Sequence, residues 1–226
     1  MPRSKAEKRP LRRVPTQERS RRRLENILHA AATAFADQGF DAAKMEAIAQ
    51  EAGTSIGSVY QFFANKRALF RAVAERCLER SREAFAERLL KDTSQRPWDE
   101  LVDDVVETFA ALHRKDASFR ALVSNVQLYE EFAEADRALL EEFVRGTSML
   151  MGQRAPLIPE ARRNIVAQTV VHAIAGLLLA ASRLGPDTFE PMLAEIKLLV
   201  LRYLEPEIRE MQALGAAIEA DAKLAT

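Results

Sequence analysis

The chain predicts an all-α fold, and three observations carry that expectation. Apolar residues recur at helical spacing through most of its 226 residues. No segment shows sustained alternation of apolar and polar residues between turn signals, so essentially no sheet is expected. One window, MEAIAQEAGTSIGSVYQFFANK from Met45 to Lys66, has the residues of two short helices crossing at a tight turn.

Residues 1–17 place Pro2, Pro10 and Pro15 among Arg and Lys, which predicts a disordered basic arm. Such an arm can follow phosphates or enter a minor groove; a solvated tail is the alternative. The basic run continues through Arg19, Arg21, Arg22 and Arg23 into a first helix, where Leu24, Leu28, Ala31 and Phe35 keep helical spacing as far as Gly39-Phe40. In the window that follows, the crossing needs a small residue, the turn a residue that accepts positive φ, and the second helix a β-branched or aliphatic residue closing the core. Ala49, Gly53 and Val59 supply these, with Ile48, Ala52 and Phe62 facing the same core. Thr54, Ser55, Ser58, Tyr60 and Gln61 remain as polar groups on or near the second helix, a surface that can read a DNA major groove.

This unit resembles the helix-turn-helix of the TetR family of bacterial transcription regulators. The resemblance covers roughly residues 20–75, including Gly39-Phe40, Tyr60-Gln61-Phe62-Phe63, Asn65-Lys66 and Leu69. It implies a phosphate contact for the Tyr60 hydroxyl and another for Lys66, whose place at a helix N-terminus also suits an anion. Gln61 can donate to and accept from an adenine edge. Two positions depart from the family pattern. Lys44 stands where a capping Ser or Thr is usual, so Asp41 is expected to cap one turn earlier and Lys44 to meet phosphate by charge. Ile56 stands where many relatives carry Lys or Arg, which removes one possible contact.

Asn65 is the expected N-cap of a long helix from Lys66 toward Leu90, carrying Leu69, Val73, Cys77 and Phe85 on its apolar side. Pro97 opens the next in its first turn, with Leu101, Val105, Phe109 and Leu112 aligned. Helices over about 116–129 and 135–151 follow, and Pro156 and Pro159 interrupt the chain. From Pro159 to Leu184, and again from Phe189 to Leu204, the apolar residues cover more than one stripe, so each helix must bury two sides. One side can enter its own core and the other a symmetry mate, giving an intersubunit four-helix bundle. That is how the TetR family dimerises; two helices inside a monomer core are the alternative. Pro206 is expected to start a separate terminal helix reaching about Ala222.

The expected division is thus a basic arm (1–17), a three-helix helix-turn-helix DNA-binding domain (18–65) and a helical effector-binding and dimerisation domain (66–226). Overall charge is balanced at 33 basic and 33 acidic residues, but residues 1–70 hold 13 basic against 7 acidic side chains, leaving 20 against 26 beyond them. A polyanion is drawn to one end and repelled by the other. The single cysteine, Cys77, excludes an internal disulfide, fits a reducing cytoplasm, and is expected as buried filler. The N-terminus lacks a signal-peptide h-region, and Ile165–Ala181, interrupted by Gln168, Thr169 and His172, is read as too short and polar for a membrane span.

His29, His113 and His172 have no metal-ligand spacing, and neither a nucleophile elbow nor a glycine-rich phosphate loop is present. Neither a metal, a cofactor nor catalysis is expected. Phe109, His113, Tyr129, Phe143 and His172 are the candidates to line an effector cavity, the histidines because a buried imidazole needs a polar partner. The expected function is a homodimeric regulator, a repressor released from a palindromic double-stranded operator by a small molecule. A ligand-binding or protein-interaction module retaining the helix-turn-helix as scaffold, and an effector-independent activator, are the alternatives.

Overall fold

The computed structural model describes residues 18–89, 96–154 and 156–224, and of residues 89, 208 and 210–224 the backbone alone. The basic arm expected over 1–17 lies outside the described residues. Helices α1 (Glu18–Ala42), α2 (Met45–Glu51), α3 (Ile56–Phe62) and α4 (Lys66–Leu89) are followed by α5 (Trp98–Lys115), α6 (Ala117–Ser124), a 3-10 turn (Val126–Glu131), α7 (Ala133–Arg154), α8 (Glu160–Leu184) and α9 (Pro186–Leu224). There is no strand among the described residues.

Packing divides the chain into two compact units, one of the residues up to Arg80 with Lys115–Ala135, the other of Ser81–Arg114 with the residues from Asp136 onward. The first unit therefore takes 66–80 and 115–135 in addition to the stretch expected to stand alone.

Leu24, Ile27, Ala31 and Phe35 form the buried stripe of α1 and meet Ile48, Ala49, Val59, Phe62, Phe63, Leu69 and Phe70 in the first core. Phe35, Phe40 and Phe70 are mutually in contact, with centroids 5.5–5.7 Å apart; two of the three pairs are edge-on, the favourable arrangement of ring quadrupoles. α1 bends at Gly39 (φ 78°, ψ 164°), a backbone shape that needs glycine. Gly53 (φ 64°) makes the turn between α2 and α3 as expected. Asn65 caps α4, its Oδ1 accepting from Ala68 N–H at 2.9 Å.

α6 is capped by Asp116, whose Oδ1 accepts from Ser118 N–H at 2.8 Å. Burial would raise this carboxyl, but Arg80 and the Ser118 N–H outweigh it and hold it below its ordinary value. The continuous helix expected over 116–129 is broken at Asn125 (φ −124°, ψ 49°). Its side-chain Nδ2 donates to Ala121 O at 2.7 Å, the acceptor its own backbone N–H would take in a continuing helix, and that N–H goes to Leu122 O instead.

In the second unit Val106, Ala110, Val166, Ala167, Leu178, Ala181, Leu193, Ile196 and Val200 make the core of α5, α8 and α9. Lys197 joins α9 to α5 through Asp103 (2.7 Å) and Glu107 (2.6 Å), and Arg114 extends the chain of charges from Glu107 to Glu190. α5 begins at Trp98, so Pro97 precedes the helix rather than occupying its first turn.

Two further expectations are corrected here. α9 runs unbroken through Pro191 and Pro206, so Pro206 does not start a separate helix. Its missing N–H frees only the carbonyl of Arg202, an exposed residue where water can replace the lost bond. α8 is 25 residues long with a mean hydropathy of 1.9 over its best 18 residues, so by length and composition it could cross a membrane, against the expectation that it is too short and polar. Only 28% of that window is buried, and Ile165 and Leu184 of α8 and Leu198 and Leu199 of α9 are exposed.

Candidate nucleic-acid interface

The interface is built on a helix of seven residues, too short to hold itself together in water. Three features fix α3. Ser55 is its N-cap, with Oγ accepting from Ser58 N–H at 3.2 Å and lying 3.0 Å from the Ser58 hydroxyl. Gly53 sets the approach. Val59 and Phe62 are buried and Ile56 is partly buried against the same core. Tyr60, 42% exposed, Gln61, Ser55 and Gly57 then stand on the outer face. Ser58 and Thr54 are half-buried beside them, so the structure brings all five predicted polar residues to one short segment.

Lys44 is exposed and occupies the N-cap of α2, which has no side-chain cap. Asp41 does not cap α2, correcting the expectation. Its backbone carbonyl has another partner, and so does the residue expected to bind phosphate: Lys66 Nζ donates to Asp41 O and Ala43 O, both at 3.0 Å, and lies 4.7 Å from the centre of the Phe40 ring. Two of the three ammonium donors are thereby directed at the end of α1, and Lys66 is half-buried. The sequence placed it correctly at a helix N-terminus, but not against the carbonyls that a bend at Gly39 turns toward it. Arg67 and Arg71 likewise meet Glu131 at 2.6 and 2.7 Å, whereas Arg19, Arg21 and Arg23 lie exposed along α1.

Of the five residues expected around an effector, Phe109, His113, Phe143 and His172 lie in the second unit and Tyr129 in the first. Phe109 and Phe143 meet: their centroids are 5.5 Å apart, and Phe85 lies 4.3 Å from Phe143. His113 follows Phe109 by one turn of α5. Its Nδ1 is 2.7 Å from Ser182 Oγ, whose own hydrogen goes to Leu178 O at 2.8 Å, so Nδ1–H is the donor. Burial favours the neutral ring, pushing its pKa down from 6.5 to about 4. Tyr129 lies in the first unit, 45% exposed and edge-on to Phe132 at 5.2 Å. His172 lies on the exposed side of α8, with Nδ1 bonded to Gln168 O at 2.8 Å. The aromatic–apolar pattern did not separate core from turn at Tyr129, and helical period alone did not tell the inner side of α8 from its outer one. Phe85 was legible as an apolar helix position; the Ser182 partner had no sequence signal.

Comparison with known proteins bears on both units. The profile for bacterial regulatory proteins of the tetR family matches residues 27–73, and that for the tetracyclin repressor-like C-terminal domain matches residues 97–204. Among curated proteins, the uncharacterized HTH-type transcriptional regulator YvdT of Bacillus subtilis is 34% identical over 92 residues, covering 41% of this chain and 46% of that protein. The chain thus spans about half the length of this curated relative. The crystal structure of a TetR-family transcriptional regulator from Streptomyces coelicolor is 31% identical, covers 83% of this chain and 98% of its own, and superposes with a TM-score of 0.59. AibR, solved in complex with isovaleryl coenzyme A and operator DNA, shares the fold at 17% identity and a TM-score of 0.57, covering 79% of this chain and 97% of its own.

Proposed function

The chain belongs to the tetR family of bacterial regulatory proteins, and from that premise we propose that it is a cytoplasmic, homodimeric repressor that binds a palindromic operator and is released by a small molecule. The observation that carries this reading is the two-sidedness of α3: its inner face is locked by Val59 and Phe62, and its outer face offers Tyr60 and Gln61. A structural helix pair has no need of such an outer face, nor of the exposed Lys44, Arg19, Arg21 and Arg23 in the same unit. Gln61 reads a base edge, Tyr60 and Lys44 meet backbone phosphates, and Thr54, Ser55 and Ser58 line the groove side of the turn.

The reading assigns the helix-turn-helix to residues 18–65, with 1–17 as a basic arm, and effector binding and dimerisation to 66–226. A second copy covers the exposed apolar residues of α8 and α9, which makes a membrane unnecessary for the apolar length of α8. The effector enters beside Phe109, Phe143 and His113, where two packed rings lie one turn of α5 from an imidazole; AibR, which shares the fold, was solved with isovaleryl coenzyme A and operator DNA in one complex, which supports a chain of this fold holding both a small molecule and an operator.

A mobility-shift titration against the DNA upstream of its own gene tests the reading. Saturable binding to one palindromic segment, at two chains per site, is the expected result. Equal affinity for that segment and for random duplex overturns it.

A further inference from the structure

Asn125 is 1% exposed, and its side chain ties the end of α6 to the bend of α1. Oδ1 accepts from Phe40 N–H at 2.6 Å; Nδ2 donates to Phe35 O at 2.9 Å and to Ala121 O at 2.7 Å. The orientation of the amide follows from its neighbours, since only the oxygen can receive an N–H and only the nitrogen can face two carbonyls. At Gly39 the backbone leaves helical geometry, turning the Phe40 N–H out of the α1 ladder and toward Asn125. A buried N–H left there without a partner is costly, so the bend and the asparagine require each other.

On its other side the same stretch is held by Lys66, through Asp41 O and Ala43 O. Residues 39–44 are thus gripped by one side chain from α4 and one from the far end of α6, and α2 begins at Met45 immediately after. α2 and α3 are short and share one turn, so the direction in which the chain leaves the bend sets the attitude of α3 toward anything it touches.

We propose that Asn125 is a positioning residue for DNA reading: it fixes the bend between α1 and α2 and, through it, the angle at which α3 presents Tyr60 and Gln61. This rests on the reading of α3 as the helix that enters the groove. Asn125 need not touch DNA. Base contacts depend on angle and distance, whereas diffuse attraction to phosphates depends mainly on charge, so a loosened bend lowers affinity for the cognate segment and leaves that for random DNA almost unchanged.

The test uses the full chain with Asn125→Asp and Asn125→Ala. Active fractions are titrated first, so that dissociation constants refer to folded protein, and affinities for the upstream segment and a random duplex are compared at one salt concentration. At pH 8 the Asn125→Asp substitution places a carboxylate against Phe35 O and Ala121 O, and cognate affinity is expected to fall about tenfold or more with random affinity changed by less than about twofold. On lowering the pH to about 5.5 the introduced acid, its pKa raised by burial, regains a donor, and the cognate-to-random ratio recovers relative to that of the unaltered chain. Should Asn125→Ala fail to fold, this pH-dependent ratio still decides. Unchanged ratios in both folded variants, or equal losses on both DNAs, overturn the proposal, the second because a purely structural role lowers both alike. An unaltered chain that does not discriminate between the two DNAs overturns the reading of α3 as well.

Discussion

Gln61 and Lys66 stand five residues apart and are expected to fail in different ways. Gln61 is exposed on a helix held from behind, so Gln61→Ala should cost about 1–3 kcal/mol of binding on the cognate segment and little on scrambled DNA. An equal loss on both would reassign it to the backbone. Lys66 already faces two carbonyls and a ring, so Lys66→Ala should lower unfolding stability by about 1–3 kcal/mol with the salt slope of DNA binding unchanged. A slope smaller by about 1 in a chain of undiminished stability would restore the phosphate contact that the family resemblance implied. His113 offers a third measurement. Its folded pKa of about 4 lies below the ordinary 6.5, so the unfolded chain binds the extra proton first as pH falls. The stability contributed by the neutral ring is complete above about pH 6.5 and is lost as the pH drops toward about 4. His113→Asn, which keeps a donor where Nδ1 stands, should flatten that part of the stability curve when subtracted from the unaltered chain. Parallel curves over this range would mean that the ring is hydrated.

At the scale of elements, the positions that the sequence made legible are those governed by local rules. Gly53 at the turn and Asn65 capping its helix act through neighbours two to four residues away; the caps of Ser55 and Asp116 obey the same local rule and were left unread. Where the outcome depends on a distant partner the sequence was silent: the break at Asn125 requires Phe35 and Phe40, and α9 continues through Pro206 from a stretch packed into the core between Phe189 and Leu204. The double apolar faces of α8 and α9 were legible from periodicity, and their outer sides remain uncovered in the single chain, with Ile165 54% and Leu199 48% exposed. A dimer formed there should bury on the order of 2,000 Å² or more and show no monomer at micromolar concentration. Leu199→Glu should yield monomers by sedimentation, since it places a charge in a desolvated interface. A Leu199→Glu chain that sediments as the same dimer would place the interface elsewhere.

For the whole molecule, release from DNA requires that effector and operator favour different states, and neither has to touch the other's residues. The three rings of Phe85, Phe109 and Phe143 and the His113–Ser182 pair belong to one compact unit, while the outer face of α3 belongs to the other. A coupling of about 1–3 kcal/mol changes operator affinity roughly 5–150-fold, and linkage demands that operator DNA weaken effector binding by the same factor. Phe109, half-buried beside Phe143, is the position to enlarge, because Phe143 is packed too closely against Phe85 to accept a larger ring without overpacking. Phe109→Trp should therefore reduce effector binding while operator affinity without effector stays within about twofold. Calorimetric titration of the effector with and without operator, on both chains, measures each limb of the cycle. If the two coupling factors in the unaltered chain agree but Phe109→Trp lowers effector-free operator affinity in a folded dimer, the effector site and the reading helix are not separable, and the switch cannot act through the balance of two states alone.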